Sequence, residues 1–167
     1  MTTRQIRKTC EALVDRLHLP VPFSTAALIE ELSAVRGRPI RIHTLPTSLA
    51  GTACGLWIAT DTSDEIYVEE HTTQFHRDHI ILHEIGHILL EHGTAEEVDP
   101  RSALAQLFPH VSPTLINRLL ARNNYTSEQE QEAELVASLI HAAAERLTPS
   151  SPSGVSGELK AALGIQG

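Results

Sequence analysis

Residues 80–92 read Ile80-Ile81-Leu82-His83-Glu84-Ile85-Gly86-His87-Ile88-Leu89-Leu90-Glu91-His92, and the fold is decided by how this stretch coils. On a helix, residues four apart share a face, about 6 Å along the axis, so the His83 and His87 imidazoles reach one Zn²⁺ at ~2.0–2.1 Å. Glu84 is turned ~100° from His83, too far round to be the natural third ligand. It is well placed to hold and deprotonate a water at the ion. The flanking Ile80-Ile81-Leu82 and Ile88-Leu89-Leu90 make this a buried helix. Unpaired histidines and a glutamate there would cost several kcal/mol, and a bound metal is the simplest remedy.

A structural zinc site needs four protein ligands, usually with Cys. Cys10 and Cys54 lack metal-pair spacing and read as reduced, packed thiols. A catalytic site with three ligands and an open position is therefore favoured. His79, four residues before His83, is the nearest rival, but His79 and His87 lie ~12 Å apart on the helix axis. The pair His79/His83 would also leave no Glu in the base position, so His79 and His76 are read as supporting or packing residues.

A second helix, 128–147, must supply the third ligand. With Glu132 at the centre, Leu135, Val136, Leu139 and Ala143 fall on the same face, which makes Glu132 an acid on the apolar stripe. Glu130 and Glu134 then lie on the opposite, solvated face. Glu128 is the alternative ligand or an acceptor for a ligand histidine. An ion pair with Arg118, Arg122 or Arg146 is the bland alternative for Glu132.

Outward from these helices the period changes. Ile6, Cys10, Leu13, Val14 and Leu17 form one helical stripe closed by Pro20 and Pro22. Ser24 caps a helix over 25–35, with Gly37 at its C-cap. The stiff Leu-Pro-Val-Pro connection and the acidic Glu30 and Glu31 argue against a DNA-reading helix pair. Alternating apolar residues at 40–42, 56–58 and 66–68 predict three short strands, the last two a hairpin joined by 61–64. Helices are expected from 76 to about 91, at 101–108 and at 113–122, and a Ser/Gly/Pro stretch after Pro149 reads as a flexible tail. The expected architecture is α+β, a small, mainly antiparallel three-stranded sheet flanked by helices. A single domain over 1–149 comprises N-terminal helices (1–36) and a sheet with zinc-site helices (37–147), followed by a tail at 150–167.

The 167 residues are 41% apolar and 4% aromatic, enough for one aliphatic core, and the net charge is −8. That field, with no Lys/Arg run, excludes a broad nucleic-acid surface and an anionic membrane surface. The N-terminus has charge but no following apolar region, and no apolar run approaches the ~18 residues of a membrane span. A cytoplasmic location is the expectation.

The stretch from Phe75 to His92 resembles the ImmA/IrrE family of zinc metallopeptidases, in which a short sheet leads into an H-E-[LIF]-G-H helix. A later helix of that family reads E-x-E-A-x-x-F-A. Here it is Glu130-x-Glu132-Ala133-x-x-Val136-Ala137, with Val136 in the aromatic position. The resemblance implies a minimal thermolysin-like, gluzincin-type core with His83, His87 and Glu132 as zinc ligands and Glu84 as catalytic base. It further implies an endopeptidase whose substrate is an intracellular helix-turn-helix repressor. Two departures stand out. Val136 offers no acid one turn after Glu132, and the link from His87 to Glu132 is long enough for a two-helix insert.

Tyr67, His92, His110, Tyr125 and His141 are candidate oxyanion donors, and strand 64–70 is read as a substrate-binding edge. Two other classes compete with the protease. One is a zinc-containing binding regulator or toxin–antitoxin component without proteolysis. The other is a hydrolase of small amides or a deaminase, disfavoured by the absence of C-x-x-C.

Overall fold

Helix formation starts where side chains satisfy the free backbone amides of the first turn. In the computed structural model, which describes residues 1–45, 54–59, 62–92, 108–110, 112–113 and 125–148, four helices begin in this way. Thr2 and Gln5 form a capping box for α1 (Thr3–Asp15), and Ser24 caps α2 (Thr25–Arg36). Thr73 caps α3 (Gln74–Leu89), accepting from the His76 amide at 3.2 Å, so this helix starts two residues earlier than its apolar period implies. Thr126 and Gln129 box the start of α4 (Ser127–Leu147). Gly37 ends α2 in the left-handed conformation at φ 61°, as expected of a C-cap glycine.

Between α2 and α3 lie β1 (Ile40–Thr44), β2 (Gly55–Ala59) and β3 (Asp64–Val68), in the spatial order β1-β3-β2. β2 and β3 pair antiparallel, as their short link requires, but β1 runs parallel to β3. The sheet is therefore mixed rather than mainly antiparallel, and β3 is its central strand rather than an edge. Side-chain alternation reports which face a residue occupies, not strand direction, and the ten residues separating β1 from β2 leave room for a crossover. β2, not β3, is the sheet edge beside α3.

The core joins Ile6 and Cys10 of α1, Leu28 and Leu32 of α2, Ile66 and Val68 of β3, Leu82 and Ile85 of α3, and Val136 and Ile140 of α4. Each such aliphatic side chain contributes about 1.5–3 kcal/mol on burial. Helices α3 and α4 meet almost backbone to backbone. A Cβ added at Gly86 would lie 2.9 Å from the carbonyl oxygen and 3.0 Å from the Cα of Ala133. Glycine inside a helix costs about 1 kcal/mol relative to alanine, and here that cost permits the close crossing. α1 packs on another side of α4, where the Cys10 thiol lies 3.8 Å from the Glu132 carbonyl oxygen.

No helix among the described residues is long and apolar enough to cross a membrane. The helices read at 101–108 and 113–122, and the tail from 150, fall almost entirely outside the described residues.

Candidate metal centre

The close crossing at Gly86 and Ala133 sets the acidic start of α4 against the histidine face of α3. His83 Nε2 and His87 Nε2 stand 3.1 Å apart. Glu130 Oε2 lies 3.2 Å from His83 Nε2 and Glu130 Oε1 3.6 Å from His87 Nε2. One ligand atom from each of His83, His87 and Glu130 falls within 4.8 Å of the others, a possible metal-binding group. His87 is fully buried, whereas Glu130 is 49% exposed at the rim.

This set corrects the reading of α4. The buried stripe runs through Ala133, Val136, Ala137, Ile140 and Ala144, with Leu135 and Leu139 only half-buried on its flank. The stripe read from the leucines is thus displaced by about one residue, or ~100°. A tight helix crossing selects small residues at the seam, so alanines mark it better than leucines do. Relative to that seam, Glu130 and Glu134 project on one side and Glu132 on the other. Glu130 and Glu134 are exposed, as expected, but both approach the histidines of α3. Glu132 is buried, as expected, but its carboxylate lies at His92, with Oε2 2.8 Å from His92 Nε2.

Glu134 contacts His79 Nε2 at 2.9 Å and His83 Nδ1 at 3.3 Å. Partial burial works against its charged form, but these histidine contacts outweigh it and hold the carboxyl below its ordinary value. His79 stacks on His141, which stacks in turn on Phe75. Burial, then the nearby His79, pulls His141 below the ordinary histidine value. Met1 lies nearest Glu128, its amino group 3.6 Å from Oε1.

His79, His83, Glu130 and Glu134 border a cleft of about 400 Å³ lined by β2, α3 and the start of α4. Glu84 is 1% exposed overall yet lines this cleft beneath Gly55 of β2. A Cβ on Gly55 would lie 2.4 Å from Ile80 Cγ2 and 2.8 Å from Glu84 Oε1, so glycine allows the edge strand to pass directly over the acid. Of the five candidate polar donors, Tyr125 lines the cleft, its ring stacked on His87 at 4.0 Å between centroids. His92 lies behind His87. Tyr67 belongs to the central strand near His43 and Phe108; burial, then the Glu65 charge, raises its phenol above the ordinary value.

The donor set suits a cation. Two imidazole nitrogens and a carboxylate converge, and no Lys or Arg is present among the described residues lining the cleft. The 3.1 Å between the two Nε2 atoms is within reach of one ion bonded to each at ~2.0–2.1 Å. The arrangement is compatible with an HExxH-plus-Glu site, with Glu130 in the third position. Glu134 and Gly55 carried little signal in the sequence, and Glu130 and Gly86 stood within the quoted motifs without a role of their own. A further hint was glycine placed where a helix and a strand would ordinarily avoid it. Comparison of the chain with protein-family models, with curated proteins and with solved structures finds no match.

Proposed function

We propose that this chain is a zinc-dependent endopeptidase of the ImmA/IrrE type, with His83, His87 and Glu130 holding the ion and Glu84 as general base. The observation that carries the reading is the convergence of His83, His87 and Glu130 beside a buried Glu84 that lines the same cleft. A zinc ion held there supplies Lewis acidity to a peptide carbonyl and makes water a nucleophile near neutral pH. Glu84 receives the proton of the attacking water and returns it to the leaving amine. β2 borders the cleft as a sheet edge, suited to an extended peptide that pairs with it and passes over Glu84. Tyr125, which lines the cleft with its ring on His87, is the donor we assign to the developing oxyanion.

The substrate class follows the resemblance: an intracellular helix-turn-helix repressor, cut rather than merely bound. The test is co-expression of such a partner with the wild type and with Glu84→Gln, followed by mass spectrometry. Cleavage by the wild type, with zinc retained and the partner whole for Glu84→Gln, is the expected result. A stable complex with the partner whole in both cases, and full biological activity of Glu84→Gln, would replace the protease by a zinc-containing binding regulator.

A further inference from the structure

Behind His87, on the side away from the cleft, the chain builds a second polar line. Helix α3 ends at Leu89, and Glu91 takes the left-handed conformation at φ 55°, which residues with a side chain adopt sparingly. That turn folds His92 back under the helix end, where it is 6% exposed. Its Nδ1 lies 2.9 Å from His87 Nδ1, and its Nε2 lies 2.8 Å from Glu132 Oε2.

The chemistry of the partners orders the protons along this line. An ionised Glu132 only accepts, so His92 Nε2 carries the hydrogen. In the neutral imidazole His92 Nδ1 is then a lone pair, and it accepts from Nδ1–H of His87. His87 is left with its Nε2 lone pair directed at His83 Nε2 and Glu130, as an ion ligand must be. Direct contact between a ligand histidine and a carboxylate is the common way to fix a tautomer. Here a second histidine is interposed, and the carboxylate comes from the other helix.

We propose that His92 and Glu132 are positioning residues that fix the tautomer and ring orientation of His87, with Glu132 acting through His92 and not as a ligand. The proposal rests on the metal-centre reading above. It assigns a use to a buried acid on α4 and to a strained turn that the cleft chemistry leaves unexplained.

Zinc affinity of the full-length protein, measured by chelator competition, tests it. His92→Leu and Glu132→Leu are each expected to weaken zinc binding by about 10–100-fold. Two conservative changes should restore most of the loss. His92→Asn keeps an acceptor for His87 Nδ1–H, and Glu132→Gln keeps an acceptor for His92 Nε2–H. Glu132→Leu added to His92→Leu should cost nothing further, because both changes break one line.

The proposal is overturned if His92→Leu leaves affinity unchanged. It is also overturned if Glu132→Gln is as damaging as Glu132→Leu, or if Glu132→Leu costs as much with His92→Leu present as without it. The last two results would make Glu132 a ligand in its own right. Should His92→Leu not fold, the contrast between Glu132→Leu and Glu132→Gln decides alone. A wild type that takes up no zinc would defeat the metal centre itself, a result distinct from all of these.

Discussion

Asp64 and Glu84 are equally hidden, each 1% exposed, and their surroundings differ in one respect. Asp64 is enclosed by donors from its own chain: Arg36 Nη2 and Arg38 Nε at 3.1 Å, and Trp57 Nε1 at 2.9 Å. Its charge is balanced locally, and nothing further is required. Glu84 shares the cleft with His79, His83, Glu130 and Glu134, and no Lys or Arg is present among the described residues lining it. One cluster closes on itself and holds α2 to the sheet. The other gathers lone pairs and carboxylates that an outside cation would balance. A buried acid is informative about function only once its neighbours' charges are known.

The contrast breaks most sharply on paired substitutions. Glu130→Ala should weaken zinc binding by more than the ~10–100-fold typical of losing an outer hydrogen-bond partner. Being half-exposed, it should leave the metal-free melt almost unchanged. Asp64→Ala should do the reverse. It strands two arginines and should cost about 3 kcal/mol, with zinc affinity retained in the folded fraction. Calorimetry and chelator competition on both variants test this, and a shared pattern of effects would erase the distinction.

Gly86→Ala places a methyl against the Ala133 backbone, which has no soft atom to yield. A loss of about 1–3 kcal/mol is expected from the forced helix shift, together with weaker zinc binding, since the same crossing sets Glu130 at the histidines. Gly37→Ala meets no atom within 4 Å and only loses the left-handed allowance, so it should leave zinc binding untouched. Denaturant titration with a parallel zinc assay separates the two.

Glu65 offers a smaller effect, near the closed cluster. Partial burial opposes its charge, but hydrogen bonds from Ser63, His43 and Arg41 prevail and hold its carboxyl below 4.5. A carboxyl lowered on folding adds stability above its unfolded value and loses it as pH falls through the folded one. The stability gap between wild type and Glu65→Gln should therefore be full at neutral pH and close below pH 4.5. A gap that widens on acidification would contradict this sign.

The smallest effect is read on the thiols. Cys10 is buried, and burial, reinforced by Glu132 and Glu11, pushes its pKa up to about 11, whereas Cys54 is exposed at the cleft. One thiol per chain should label rapidly at pH 8, and mass spectrometry should find the label on Cys54. Bound zinc should slow that labelling if the cleft is where the ion sits.

Much of this was legible one residue at a time. The N-caps Ser24 and Gly37's C-cap are local backbone chemistry, and the apolar stripe of α1 and the three strands follow from spacing alone. So does the His83/His87 pair, because both imidazoles lie on one helix whose geometry is known in advance. Glu84 follows for the same reason.

What the sequence by itself determined, then, is the helices and strands among the described residues and the half of the candidate site that one helix carries. The tertiary structure decided the rest: that β1 runs parallel to β3, that β2 is the edge over the cleft, and that Glu130 meets His83 and His87 while Glu132 meets His92. Strand direction and helix rotation are set by packing between elements distant in sequence. On α4 that packing is a crossing close enough to prefer alanine, so the larger side chains by which a helix face is usually recognised lie on its flank. Displacing the buried stripe by one residue, ~100° on a helix, is enough to turn Glu130 toward His83 and His87 and Glu132 to the far side of the seam.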